Sequence, residues 1–229
     1  MSRGLLLAAH GSRDAAAQGS IDRIADLVRA ELPGVDVVVG YLDHSEPDVP
    51  AALALLLRDN DSVTVVPLLF APGRHYDVDL PALVGGHNVT LTPPLGPDPL
   101  VAAALRDRLI EAETPAGAFV VVVSAGSRDA AAARSTEATA RLLAEGTGWD
   151  VVGTDATADL ARVIASSDAH AAGAVAVSPL LLAPGAFAER IATAAYDAGA
   201  DIVAAPIADH PAIAVLVAKR YTATTEVAA

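Results

Sequence analysis

Short apolar runs rich in β-branched residues recur in the first half of the chain, at residues 4–9, 35–42, 62–70 and 89–92, each bounded by turn-forming residues. Between them lie amphipathic stretches of helical period. Residues 15–32 end at Pro33-Gly34, residues 46–59 open with Ser45 as N-cap and Pro47 in the first turn, and residues 97–111 close the half. The predicted order is β-α-β-α-β-α-β-α. Near-continuously apolar strands alternating with helices call for a parallel sheet covered on both faces. Right-handed crossovers then make a doubly wound α/β sheet the expected fold.

The pattern is repeated in the second half. His10-Gly11-Ser12-Arg13-Asp14-Ala15-Ala16-Ala17 returns as Ala125-Gly126-Ser127-Arg128-Asp129-Ala130-Ala131-Ala132, and Pro67-Leu68-Leu69-Phe70-Ala71-Pro72-Gly73 returns as Pro179-Leu180-Leu181-Leu182-Ala183-Pro184-Gly185. The second copy is three residues shorter in between, at the loop that holds Asp43-His44-Ser45-Glu46 in the first. Glu113-Thr114-Pro115-Ala116-Gly117 reads as the linker, giving two tandem domains at residues 1–113 and 117–229.

Composition narrows the chemistry. The chain of 229 residues has no cysteine, so thiolate sites, iron–sulfur clusters and disulfides are out, and a metal must be met by His, Asp, Glu or Asn. A net charge of −13 without a basic stripe argues against nucleic acid. Lys219 is the single lysine, which removes a P-loop or Schiff-base lysine from nearly the whole chain. No apolar run is long enough to span a membrane, and the N-terminal run reads as a first strand, not a signal peptide, so a cytoplasmic, membrane-free protein is expected. Nucleophile-elbow and dinucleotide-binding motifs are missing.

In a doubly wound sheet, ligands bind beyond the carboxyl ends of the strands. His10, Glu46 and His75 follow the first, second and third strands, so all three belong to that edge. If the strand order is 2-1-3-4, His10 can face His75. Two imidazoles and a carboxylate suit Fe²⁺, Co²⁺, Ni²⁺ or Zn²⁺ better than Mg²⁺ or Ca²⁺. Glu46 is equally readable as a first-turn acid facing the helix dipole. His44, His87, His170 and His210 lack such placement and carry no functional claim. The loops Gly11-Ser12-Arg13-Asp14 and Gly126-Ser127-Arg128-Asp129 each enter a helix, where their N–H groups and arginines can hold an anion, or Ser12 and Ser127 can simply cap. Arg74 adds a second cation beside His75, with Ala186 in its place in the second half.

Residues 5–13, the Glu46-Pro47-Asp48-Val49-Pro50-Ala51-Ala52-Leu53 segment, residues 67–75 and Asp79-Leu80-Pro81 resemble the sirohydrochlorin chelatases of sirohaem and cobalamin synthesis, in the long form made of two fused halves. The resemblance implies a lyase, a sirohydrochlorin cobaltochelatase or ferrochelatase, that inserts Co²⁺, Fe²⁺ or Ni²⁺ without ATP. It implies no cofactor beyond that metal substrate. By the same resemblance His10 and His75 bind metal and act as catalytic groups, and Glu46 is an accessory acid. Ser12, Arg13, Arg74, Ser127 and Arg128 would grip a carboxylate-rich tetrapyrrole. Ala125 and Phe187 stand where His10 and His75 would recur, so the second half is expected to be degenerate, forming the other wall of the cleft in a monomer of pseudo-two-fold halves. The alternative class is a non-enzymatic metal or tetrapyrrole carrier.

Overall fold

The structure is a computed structural model that describes residues 2–127, 129–155, 160–166, 169, 171–207 and 209–226. In the first sheet, strands β1 (Arg3–Ala9), β2 (Val37–Tyr41), β3 (Ser62–Pro67) and β4 (Val89–Leu91) are all parallel, in the order β2-β1-β3-β4. Leu6 pairs with Val38 on one side and Val65 on the other, and the central strand is buried on both faces, as its unbroken apolar run required. Helices α1 (Ala15–Glu31), α2 (Val49–Asp59) and α3 (Leu80–Val84) connect these strands. Leu6, Ala8, Val63 and Val65 pack against Val49, Ala52, Leu53 and Leu56 of α2 and Leu80 and Val84 of α3.

The second sheet repeats the plan with β5 (Phe119–Ser124), β6 (Asp150–Asp155), β7 (Val175–Pro179) and β8 (Ile202–Val203), in the order β6-β5-β7-β8. Its helices are α4 (Pro99–Glu111), α5 (Ala130–Ala144), α6 (Leu160–Ile164) and α7 (Ala186–Asp197), and α8 (Pro211–Glu226) ends the described chain. Phe119, Val121, Val123, Val175 and Val177 form a core with Leu160, Ile164, Ile191 and Ala195. The fold is thus two four-stranded parallel α/β sheets related by the duplication.

The packing units do not follow the duplication boundary. One compact unit is residues 1–95 with 209–229 and the other is residues 96–208. The division at residues 113–117 marks the repeat in sequence, but each repeat's last helix packs in the unit built on the other repeat's sheet. Helix α8 lies against α1 and β3, where Tyr221 donates its hydroxyl to the Arg3 carbonyl at 2.9 Å and Arg3 Nη1 donates to the Thr224 carbonyl at 2.8 Å. Helix α4 packs on α5 and β7.

Three local expectations are corrected. Helix α2 starts at Val49 and is capped by Asp48, whose Oδ1 accepts the Ala51 N–H, so Ser45 is not the cap and Glu46 lies ahead of the first turn. Asp14 and Asp129, not Ser12 and Ser127, cap α1 and α5, accepting the N–H of Ala16 and Ala131. Each such cap is worth about 1 kcal/mol. Residues 68–70 leave the third strand: Leu68 still donates to the Ala8 carbonyl, but the Leu69 carbonyl is taken by the N–H of Leu95. No helix among the described residues is long and apolar enough to cross a membrane.

Candidate functional site

Ladder pairing between β1 and β2 runs past the strand ends, with Leu42 N–H donating to Ala9 O and Asp43 N–H to His10 O. The two loops that follow are thereby held backbone to backbone. Gly11 makes this possible: at φ +93° it sits where a Cβ would lie 1.7 Å from the Asp43 carbonyl oxygen. Ser45 completes the clasp, donating to Ser12 O at 2.9 Å while accepting from Ser12 N–H and from Gln18 Nε2, both at 3.1 Å. Ser12 therefore spends its backbone groups locking the loops, and its hydroxyl accepts the Asp14 N–H. A carboxylate already caps the helix, so the loop is a poorer anion cradle than its sequence suggests.

From β3 the chain turns at Pro72-Gly73 into a single π-helical turn, His75–Asp79, closed by the Leu80 N–H on the His75 carbonyl. This wide turn has a chemical consequence. Leu80, five residues after His75, takes the core position, which leaves Asp79, four residues on, free to face the imidazole. His75 Nδ1 meets Asp79 Oδ2 at 2.8 Å, and Arg74 Nε lies 3.6 Å from Asp79 Oδ1. A carboxylate only accepts, so the proton sits on Nδ1 and Nε2 presents a lone pair.

His10 and His75 come together as the 2-1-3-4 order requires. Their rings stand edge to face, with centroids 4.7 Å apart and planes at 88°. His10 Nδ1 is 3.2 Å from the Gly11 carbonyl, which fixes the same tautomer and again leaves Nε2 free. Glu46 does not orient either histidine: its Oε2 accepts the Asp48 N–H at 3.2 Å, and the histidine-orienting carboxylate is Asp79. Arg13 and Arg74 are exposed in the loops that carry the two histidines, and Ser127 is exposed with its hydroxyl accepting the Asp129 N–H. Arg128 lies outside the described residues.

His44, for which the sequence supports no functional claim, lies near this pair. Its ring centroid is 6.4 Å from that of His10, and its Nδ1 is 3.3 Å from Asp43 Oδ1. His44 follows the second strand as His10 follows the first. A recess of about 540 Å³ adjoins this loop, lined by Tyr41, Asp43, His44, Ser45, Glu46 and Asp48 among others. Burial, with Asp22 nearby, pushes the Tyr41 phenol up from its ordinary value, so it stays neutral there.

The CbiX family model matches residues 4–112 and, a second time, residues 119–224. The chain belongs to the CbiX family. Relatives of this CbiX chain include a sirohydrochlorin cobaltochelatase of Methanothermobacter thermautotrophicus, 32% identical over 46% of this chain and 90% of the relative. A chloroplastic sirohydrochlorin ferrochelatase of Arabidopsis thaliana is 25% identical over 46% of this chain and 51% of its own length. In fold it is similar to SirB from Bacillus subtilis, solved with Fe³⁺, with a TM-score of 0.82, 22% identity, and coverage of 98% of this chain and 96% of that one.

Within this CbiX chain the second repeat has lost the pair altogether. Ala125 stands in the place of His10. Phe187, at the position of His75, packs against its own unit's core and beneath Arg190, whose guanidinium carbon is 5.0 Å from the ring centroid. Helix α7 begins as a regular α-helix, so the residue four beyond Phe187 is Ile191, buried in that core.

Proposed function

We propose that this protein inserts a divalent metal, Co²⁺ or Fe²⁺ with Ni²⁺ as a further substrate, into sirohydrochlorin without nucleotide. The observation that carries the reading is the edge-to-face His10–His75 pair, with both Nδ1 atoms engaged and both Nε2 atoms free. Membership of the CbiX family and the names of the chelatase relatives supply the substrate class.

Insertion exchanges two pyrrole N–H protons for one metal ion. Neutral imidazoles serve both sides of that exchange, binding a borderline cation through Nε2 and taking up a proton once the metal has left. Asp79 holds His75 in the tautomer that binds and stabilises the imidazolium that follows. Arg13, Arg74 and Arg128 are the proposed grips on the carboxylates of the tetrapyrrole, with Ser12 and Ser127 as subsidiary contacts. Glu46 is the proposed accessory acid, accepting protons at the edge of the site. A cytoplasmic location fits a reaction between two soluble small substrates.

The test follows the absorption spectrum of sirohydrochlorin with each metal, with and without catalytic amounts of protein. Insertion faster than the spontaneous rate, and continuing beyond one equivalent per chain, supports an enzyme. A single stoichiometric burst would identify a carrier, and no change over the metal alone would refute both.

A further inference from the structure

We infer that Asp77 is a positioning residue for the His10–His75 pair: its carboxylate clasps Gly73 and so sets where the turn that carries His75 stands. The consequence for metal rests on the chelatase reading above. The clasp is reciprocal. Gly73 N–H donates to Asp77 Oδ2 at 2.8 Å, and the Asp77 N–H returns to the Gly73 carbonyl at 2.8 Å, joined there by the Tyr76 N–H at 2.9 Å. Both backbone polar groups of Gly73 are thus engaged across the segment that holds Arg74 and His75.

Asp77 and Asp79 have different tasks. His75 and Asp79 belong to one π-helical turn, so their 2.8 Å contact sets the imidazole's tautomer but does not fix where the turn itself stands. Gly73 lies on the chain arriving from β3, and a glycine there leaves the backbone its widest choice of conformation. Closing it against Asp77 removes that freedom just ahead of His75, while Tyr76, packed on the core formed with α2 and α3, holds the turn from the other side. The second repeat supplies the contrast. Glu189 stands where Asp77 would recur and keeps only the backbone half, its N–H reaching the Gly185 carbonyl at 3.0 Å. The side-chain half of the clasp is therefore present in the repeat that has the histidines and missing from the one that lacks them.

The test uses the full chain and separates the hydrogen bond from the charge. Asp77→Asn drops the charge but keeps an oxygen for the Gly73 N–H, Asp77→Glu keeps the charge but copies the residue that makes no such bond in the second repeat, and Asp77→Ala removes both. Asp77 is exposed and outside the core, so none of the three opens a cavity, and circular dichroism checks folding. Two readouts are taken: the nuclear Overhauser contact between the His10 and His75 rings in the metal-free protein, and the Co²⁺ affinity. Asp77→Asn is expected to match the parent, whereas Asp77→Ala and Asp77→Glu lose the ring contact and bind Co²⁺ about 10-fold more weakly. If folded Asp77→Ala or Asp77→Glu retains either the ring contact or the parent affinity, or if Asp77→Asn is as impaired as Asp77→Ala, the inference about Asp77 falls and the chelatase reading stands. Co²⁺ binding that is indifferent to His75→Ala would instead overturn the chelatase reading, and the ring contact would still decide the clasp.

Discussion

His75 and Asp79 meet at 2.8 Å across one π-helical turn, and the second repeat, whose corresponding helix is regular from its start, offers Phe187 and the buried Ile191 instead. A one-residue difference in helical closure thus accompanies the presence or absence of a histidine–carboxylate pair.

Asp79→Ala is expected to leave the fold intact, because Asp79 is outside the core cluster, while costing about 10- to 100-fold in Co²⁺ affinity or insertion rate. Equilibrium binding with a melting curve checks both halves of the statement. Unchanged affinity would mean that His75 does not depend on its carboxylate.

Deletion of Val78, which is 58% exposed, should convert the π turn to a regular α turn. Leu80 would then lie four residues after His75, as Ile191 lies after Phe187, and Asp79 would lose its place opposite the imidazole. The predicted variant melts within a few degrees of the parent yet inserts metal as poorly as Asp79→Ala. Full activity in a well-folded deletion would dispose of this role for the π turn.

Gly11→Ala should be far more damaging than Gly34→Ala. Both have positive φ and share a backbone cost of about 1–3 kcal/mol, but only at Gly11 does the new Cβ strike something, the Asp43 carbonyl at 1.7 Å, whereas nothing lies within 4 Å at Gly34. Comparing the two melting temperatures isolates the loop clasp. Equal losses would show that the two loops are not held together as described.

Tyr221→Phe removes the hydrogen bond from α8 to the Arg3 carbonyl and should cost about 0.5–1.5 kcal/mol. Burial raises the Tyr221 phenol above its ordinary 10.0, with Arg3 partly opposing. A raised folded value means that this stability is fully present below pH 10 and is lost as pH climbs through the folded value. Denaturant melts of parent and variant should therefore converge in strong alkali, and a constant difference would contradict the linkage.

Much of this was legible in residue order alone. Apolar strands and the internal repeat put His10 and His75 at one sheet edge, because parallel strands deliver every following loop there, and the observed order β2-β1-β3-β4 makes them neighbours. What stayed hidden depends on geometry that pattern does not encode. Residues 75–84 carry Asp77, Asp79 and Pro81 and break the helical period, so neither the π turn nor the partnership of Asp79 with His75 can be read from the pattern, although Asp79-Leu80-Pro81 belongs to the family resemblance. Glu46 is placed at the site edge by its loop, but that its Oε2 accepts the Asp48 N–H is not readable from residue order. The approach of His44 to His10 accompanies the extended β1–β2 pairing, which residue pattern does not encode. The exchange of α4 and α8 between units has no sequence signature, since both helices keep the apolar faces that any sheet would accept.

The central claim is that one histidine pair, in the first repeat, performs the insertion. The most direct measurement is the initial rate of Co²⁺ insertion into sirohydrochlorin, read by absorption, for the parent, His10→Ala, His75→Ala, and each of these combined with Ala125→His. The account predicts that either single variant falls to the spontaneous rate and that Ala125→His restores neither, because Phe187 leaves the second repeat without its other imidazole. A His10→Ala or His75→Ala protein that keeps most of the parent's rate, or one that Ala125→His restores, would contradict it.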